Sequence, residues 1–117
     1  MDQMNRYRDL LKRILSAHVA LVNRTSGSSD KGGIPDALVV DDEHGQYLWM
    51  RYGWAQGNRV RAIPVYAHIS DGKIWIEEDW TEAGIATELV AAGVPKEDIV
   101  LAFHSPEMRV YTDFAAA

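Results

Sequence analysis

The hydrophobic and polar positions of the first part of the chain repeat with the period of an amphipathic helix. Over residues 2–22, side chains on one stripe recur at three- and four-residue spacing, namely Met4, Tyr7, Leu11, Ile14, Leu15, His18 and Val22. This spacing predicts a first helix over residues 2–22. The stretch NRTSGSSDKGGIPD that follows is rich in Gly, Ser and Asp and has no periodicity. It is typical of a flexible loop, which we place at about residues 23–36.

From residue 37 onward the period shortens to two residues, the period of a β-strand. The segments ALVVDD, QYLWMRYGW, RVRAIPVYAHIS and KIWIEE are separated by polar turn residues, so they predict an antiparallel meander. Asp71-Gly72 is the strongest hairpin signal in the chain. Since Pro64 cannot donate a ladder hydrogen bond, we expect its strand to lie at a sheet edge or to contain a bulge there.

A second helix is predicted over about residues 81–92, because its apolar residues again follow helical spacing. Gly93 and Pro95 are typical of the end of such a helix. The segment DIVLAF then indicates a buried strand. The pattern predicts a single α+β domain over residues 1–117, composed of an N-terminal helix, an antiparallel β-meander, a second helix and a further C-terminal strand.

Composition excludes some classes of function and disfavours others. The 117 residues include no cysteine, which excludes thiolate metal sites and cysteine nucleophiles. The formal net charge is −5, and such a charge opposes binding to nucleic acid, which is itself a polyanion. There is no apolar run as long as a membrane span, so we expect a cytoplasmic protein without membrane contact.

Carboxylates are concentrated between the last strand of the meander and the second helix, in the stretch EEDWTEAG. We interpret Asp79, Thr81 and Glu82 as a helix cap, with either Thr81 or Asp79 as the capping residue and Glu82 in the first turn. The alternative is a small metal-dependent hydrolase that would use this cluster together with His104. Since no catalytic motif accompanies the cluster, we predict no catalytic, cofactor-binding or metal-binding residues and no enzyme activity.

The first helix contains the only basic stretch of the chain, at Arg6, Arg8, Lys12 and Arg13. A solvated helix face is the favoured interpretation, because Asp9 can pair with Arg13 at four-residue spacing. Direct contact of these residues with DNA is the alternative. The net charge of −5 disfavours direct nucleic acid binding.

Aromatic residues give a different indication, since both faces of the strand QYLWMRYGW carry large side chains. One helix-covered core accounts for only one of these faces, so the other needs the second helix, the tail or another chain to cover it. Tryptophan and tyrosine are enriched at the centres of interfaces. We predict a homodimer, a higher homo-oligomer or a stable heteromeric contact, with a partner interface at Tyr47, Trp49, Trp54, Trp80 and His104.

Three longer stretches carry a family resemblance: DDEHGQYLWMRYGW, DGKIWIEEDWTEAGIATELVAAGVPKEDIVLAFHSP and the ending YTDFAAA. With these stretches, the chain resembles the XisI family, the controlling factors for excision of the fdxN element in heterocyst-forming cyanobacteria. The resemblance covers about residues 38–117 and fits the first helix more loosely. Their length and order make these stretches more specific than any short motif in the chain.

The resemblance implies a small regulatory protein in programmed DNA rearrangement. Such a protein would work beside a nuclease-like companion, XisH, and a site-specific recombinase. No catalytic residues and no cofactor are implied for this chain. The main expectation is therefore a non-enzymatic protein that acts through protein–protein contact, with a direct DNA-binding excision factor as the alternative.

Overall fold

A five-stranded sheet forms the centre of the molecule, and two helices pack against one of its faces. The computed structural model describes residues 2–24 and 34–117. The elements, in chain order, are α1 (Asp2–Val22), β1 (Asp36–Asp41), β2 (Gln46–Ala55), β3 (Asn58–Ser70), β4 (Lys73–Asp79), α2 (Ile85–Ala91), a 3-10 turn (Lys96–Asp98), β5 (Ile99–Leu101) and α3 (Pro106–Arg109). The α+β class and the order of elements are as the sequence predicts.

The strands lie side by side in the order β1-β2-β3-β4-β5. The first three pairings are antiparallel, which confirms the meander, and β5 pairs with β4 in parallel after the α2 crossover. The hairpin predicted at Asp71-Gly72 is present between the paired residues Ser70 and Lys73. Both turn residues have positive φ, 54° and 77°, as the tight turn of such a hairpin requires.

The core lies between the sheet and the two longer helices. Residues from α1, α2 and one face of the strands are buried together, among them Tyr7, Leu11, Leu15, Tyr47, Trp49, Val65, Ala67, Ile74, Ile76, Ile85, Leu89 and Ile99. The buried tyrosine hydroxyls donate hydrogen bonds to carboxylates, Tyr7 to Asp98 and Tyr47 to Asp42. Burial, together with the neighbouring Asp98, raises the pKa of Tyr7 to about 12.

The structure resolves the two alternatives that the sequence left open for Pro64. The edge position is wrong, because Pro64 belongs to β3, the middle strand of the sheet. The bulge is confirmed: Trp49 pairs with Val65 and Arg51 pairs with Ala62, so Ile63 and Pro64 together oppose a single residue of β2. The bulge accommodates a residue that has no backbone N–H to donate.

The loop predicted as flexible, about residues 23–36, lies mostly outside the described residues. Its two described ends meet, since the Asn23 side chain exchanges two hydrogen bonds, of 2.8 and 3.0 Å, with the backbone N–H and C=O of Asp36. The end of α1 is thereby fixed beside the start of β1. Among the described residues, no helix has the length and apolar character needed to cross a membrane.

Candidate protein-interaction surface

The sheet face opposite α1 and α2 carries exposed apolar side chains on β1, β2 and β3. The strand registers place these residues together, because Ala37 pairs with Met50 and Tyr52 pairs with Arg61. We call this surface the open face; its members are Ala37, Val39, Leu48, Met50, Tyr52, Trp54, Arg59, Arg61 and Ile63. Several large members are well exposed, up to 54% for Tyr52 and 65% for Trp54. Contiguous exposed apolar surface of this kind often marks an interaction site.

The other half of the same sheet face, on β4 and β5, is covered by the C-terminal segment. The guanidinium of Arg109 on α3 lies 5.7 Å from the ring centroid of Trp75. Val100 is fully buried and forms a bridge with Ala115 near the end of the chain. The sequence left open whether the second helix, the tail or another chain covers this face. The tail covers it at β4 and β5. It leaves the open face on β1 to β3 uncovered among the described residues.

The β2–β3 hairpin extends beyond the rest of the sheet. Pairing of β1 with β2 ends at Arg51, and pairing of β4 with β3 ends at Val65. Among the described residues, 52–61 therefore form a two-stranded projection with no further strand paired on either side, which we call the hairpin arm. A hairpin without neighbouring strands or a helix to pack on is marginally stable in water. The hairpin arm thus depends on contacts other than strand pairing, one of which is the side chain of Ile34 beside Gly53.

Aromatic and arginine side chains pair across the hairpin arm. Trp54 lies directly opposite Arg59, whose guanidinium is 5.7 Å from the Trp54 ring centroid. Tyr52 and Arg61 are likewise paired across the two strands. A guanidinium over an aromatic ring is attracted electrostatically by the ring face. The arm therefore presents two flat side chains, with positive charge next to each.

A groove follows the root of the hairpin arm. It has a volume of about 710 Å³ and is lined by Ala37, Val39, Met50, Arg51, Tyr52, Arg59, Arg61, Ala62 and Ile63. We call it the arginine groove. None of these lining residues is acidic, although the chain as a whole has a net charge of −5. The groove is therefore a local basic and apolar site on an acidic protein.

A buried ion pair joins β1 to β2 beside the groove. Arg51 donates hydrogen bonds of 2.8 and 2.9 Å to the carboxylate of Asp36, and Trp49 Nε1 donates another of 2.5 Å. Burial by itself would raise the pKa of the Asp36 carboxyl, but the hydrogen bonds from Arg51 and Trp49 outweigh it and hold the pKa below its usual value. The charge of Arg51 is thus compensated, whereas Arg59 and Arg61 form no ion pair with the described residues.

The carboxylate cluster before α2 binds backbone, although not as a regular helix cap. The carboxylate of Asp79 accepts hydrogen bonds from the N–H of Ile85, at 2.7 Å, and from the N–H and hydroxyl of Thr81. The Thr81 hydroxyl in turn accepts from Gly84 N–H. The capping assignment needs a correction, because α2 begins at Ile85 rather than at residue 81. Gly84 is the N-cap residue, and Glu82 is exposed and takes part in no capping box.

The five residues assigned to a partner interface lie in four different places. Tyr47 and Trp49 belong to the core under α1, which corrects their assignment because both side chains are buried. Trp54 lies on the hairpin arm, and Trp80 is 77% exposed after β4. His104 is partly buried and contacts the ring of Phe103, with centroids 4.7 Å apart. The structure does not bring these five side chains together.

The basic residues of α1 are largely bound within the molecule. Arg6 donates to the carbonyl of Ala92 at 2.9 Å, and Arg8 donates to the side chain of Asn5 at 2.8 Å. Lys12 binds the Asp42 carboxylate at 2.8 Å, and this contact raises the pKa of Lys12. Arg13 is exposed. Its expected partner, Asp9, lies instead 3.8 Å from Lys12.

Comparisons with known proteins place this fold in a family. The family model described as XisI protein matches residues 1–116. The chain belongs to the XisI family. Two solved structures from Anabaena variabilis ATCC 29413 are similar to it. A XisI-like protein is 35% identical, with a TM-score of 0.86 over 97% of this chain and 99% of that one. The fdxN element excision controlling factor XisI is 39% identical, with a TM-score of 0.85 over 98% and 99%. None of the curated proteins compared matches the chain.

In this XisI-family chain, sequence reasoning missed Arg59 and Arg61. They alternate along β3, and their importance depends on the aromatic residues opposite them on β2. The signal in the sequence is the segment WAQGNR, which has a two-residue turn at Gln56-Gly57 with φ values of 52° and 78°. If the segment is interpreted only as a polar break, it does not predict which residues of β2 and β3 lie opposite each other. Interpreted as a tight hairpin, it aligns Trp54 with Arg59.

The arrangement of His, Asp and Glu side chains in this XisI-family chain bears on whether it could bind a metal ion. Within residues 2–24 and 34–117, the His, Asp and Glu side chains form no group of three or more that could hold a metal ion. His68, the histidine nearest the acidic strand end, donates or accepts a 2.8 Å hydrogen bond with Glu77 and stacks on Trp75. These contacts with neighbouring sheet residues are sufficient to explain the position of the His68 side chain.

Proposed function

We propose that this chain is a non-enzymatic excision-controlling factor that acts by protein–protein contact. The similar protein from Anabaena variabilis is described as an fdxN element excision controlling factor. By extension, the partner of this chain would be a nuclease-like XisH-family companion, with a site-specific recombinase as the enzyme whose action is controlled. The role would require no cofactor.

The observation that carries this proposal is the exposure of the open face. Tyr52, Trp54 and Ile63 lie together on one side of a sheet, where side chains of this size normally pack against another layer. Aromatic residues and arginine are the residue types most enriched in interface hot spots. The open face combines both types, next to a groove of suitable size for a few partner side chains.

A binding role is also supported by two carboxylates, those of Asp36 and Asp79, whose hydrogen bonds are all made within the protein. The Asp36 carboxylate is bound by Trp49 and Arg51, and the Asp79 carboxylate is bound by backbone and Thr81. Folding therefore accounts for the two carboxylates that accept the most hydrogen bonds within residues 2–24 and 34–117. Neither needs a substrate to explain its position.

Co-expression with the XisH-family companion, followed by affinity purification, tests the proposal. We expect the two chains to purify together. Replacing Ile63 with aspartate places a charge in the apolar part of the open face and should abolish co-purification. Glu82→Lys, at an exposed site outside this surface, is the control and should have no effect. Failure of the unmodified chains to purify together would count against the proposed function.

Self-association is a second mode of contact that we propose to measure. Trp80, on the opposite side of the sheet from Trp54, borders a cleft of about 290 Å³ formed with Val22, Trp49, Arg51, Ala62 and Pro64. A large exposed indole beside an apolar cleft suits a contact between two copies. Light scattering at several concentrations gives the mass directly, and a homodimer requires a mass of twice 13.1 kDa.

The alternative of direct DNA binding through α1 is less well supported. Three of its four basic residues already bind groups within the molecule, which leaves Arg13 as the most available of them. A mobility shift with DNA from the ends of an excised element is the test. If the alternative holds, Arg13→Glu should weaken that shift and the affinity should fall steeply with salt.

A further inference from the structure

We infer that the arginine groove is the docking site for an acidic segment with apolar side chains, contributed by the companion protein. This inference rests on the proposed function, since it names where the contact forms and what chemistry the partner brings. The groove has an apolar lining, an uncompensated positive charge and a position beside the hairpin arm, and each of these features suits such a segment.

The apolar part of the groove is ready to receive side chains. Val39 is 45% exposed and Ile63 is 40% exposed, and they lie on either side of Met50 and Tyr52. Burying such side chains is favourable by about 25 cal/mol for each Å² of apolar surface removed from water. A partner segment therefore needs apolar side chains that fit between β1 and β3. This requirement excludes a ligand recognised through charge alone.

The charged part of the groove determines which sign of charge the partner segment must carry. Arg51 is compensated by the buried Asp36, but Arg61 forms no ion pair with the described residues and Arg59 lies over Trp54. No acidic residue lines the groove. A carboxylate placed here gains two guanidinium partners, and such charge-assisted pairs are stronger than neutral hydrogen bonds. A basic segment would be repelled by the same two side chains.

A second copy of this chain fits the groove less well than an acidic partner does. In a two-fold symmetric contact the same patch faces itself, so Arg59 and Arg61 of both copies would be brought together. Like charges facing each other across an interface are unfavourable. The groove contains no carboxylate that would compensate them. The charge pattern thus favours a different chain as the occupant.

The hairpin arm explains why the contact forms at this place. Tyr52 and Arg61 belong both to the arm and to the lining of the groove. A segment seated in the groove therefore packs against the root of the arm, where the described part of the chain provides no further strand. Ordering of the arm and binding of the segment would then occur together.

Calorimetric titration of the purified companion into the full chain and its variants tests the inference. We expect Arg61→Glu to weaken binding by about tenfold or more, because a favourable charge contact becomes a repulsive one. Arg61→Lys should retain most of the affinity. Arg13→Glu is the matched control, with the same change in net charge at an exposed site on α1, and should bind like the unmodified chain. Circular dichroism checks that each variant is folded.

The class of partner segment is tested separately with overlapping peptides that span the companion sequence. Peptides that bind the unmodified chain and lose binding with Arg61→Glu should be acidic and contain apolar residues. Replacing their Asp and Glu residues with Asn and Gln should weaken binding. If the peptides that bind are basic or uncharged, the inference is overturned.

Three further outcomes would overturn the inference and are distinguishable from one another. If Arg61→Glu binds the companion as tightly as the unmodified chain, the groove is not the docking site, although the proposed function stands. If the unmodified chain binds no companion, the proposed function fails and the inference fails with it. If the unmodified chain is a dimer and Ile63→Asp makes it monomeric without changing companion binding, the occupant is a second copy.

Discussion

Asp36 and Arg51 lie opposite each other on β1 and β2, and the guanidinium holds the buried carboxylate through two hydrogen bonds. Arg51 is the last residue of β2 that pairs with β1, so this ion pair marks the root of the hairpin arm. Trp49 donates a third hydrogen bond to the same carboxylate. The pair therefore links the core under α1 to the projecting part of the sheet.

Removing Arg51 should destabilise the fold. Arg51→Met leaves the fully buried Asp36 side chain without its charged partner, and we expect a loss of about 3 kcal/mol in the free energy of unfolding. Urea denaturation measures this loss. Arg61→Met, ten residues further along the chain but without an ion pair, is the control and should change stability by less than about 0.5 kcal/mol. Equal effects of the two substitutions would contradict the structural role of the pair.

The same carboxylate predicts how stability depends on pH. The pKa of Asp36 is below its usual value of 3.8 in the folded state, so the folded protein binds this proton less readily than the unfolded chain does. Its contribution to stability is fully present above about pH 5 and is lost progressively as the pH falls further. In urea titrations from pH 7 to pH 3, the stability difference between the unmodified chain and Asp36→Asn should therefore shrink at acidic pH. A constant difference would contradict the assignment.

The acidic stretch before α2 gives a prediction that separates two neighbouring carboxylates. Asp79→Ala removes the hydrogen bonds to Ile85 and Thr81 and should cost about 1–2 kcal/mol of stability, in the range observed for lost helix caps. Glu82→Ala should have almost no effect, because Glu82 is exposed and has no capping contact. Chemical denaturation of both variants is the measurement. A larger loss of stability for Glu82→Ala than for Asp79→Ala would contradict this assignment and support the capping box predicted from the sequence.

Much of the fold follows from local sequence signals, and the missing parts depend on long-range contacts. The α1 period and the Asp71-Gly72 turn each lie within a few residues, so they predict a helix and a hairpin correctly. The start of α2 does not follow from such a local signal. It depends on the hydrogen bond between Asp79 and Ile85, which spans a loop whose shape the sequence leaves open. A capping motif of ordinary spacing therefore gives a start four residues too early.

The candidate surface was harder to predict, for a related reason. Alternation along β2 separates Trp49 from Trp54 correctly, but it cannot say which face the helices cover. Only the packing of α1 shows that Trp49 is buried and Trp54 is exposed. The basic part of the surface depends on register as well, because Arg61 becomes significant only when Tyr52 lies opposite it.

The two tryptophans of β2 provide the clearest test that separates fold from function. Trp49 is buried, stacks on His18 with ring centroids 5.7 Å apart, and binds Asp36. Trp49→Ala should therefore lower the free energy of unfolding by about 3–5 kcal/mol. Trp54→Ala removes an exposed side chain from the hairpin arm, so it should leave stability within about 1 kcal/mol and weaken binding of the companion. Thermal denaturation and calorimetric binding, measured on both variants, give the two results independently. A Trp54→Ala variant that is as stable and binds as tightly as the unmodified chain would remove the hairpin arm from the interface.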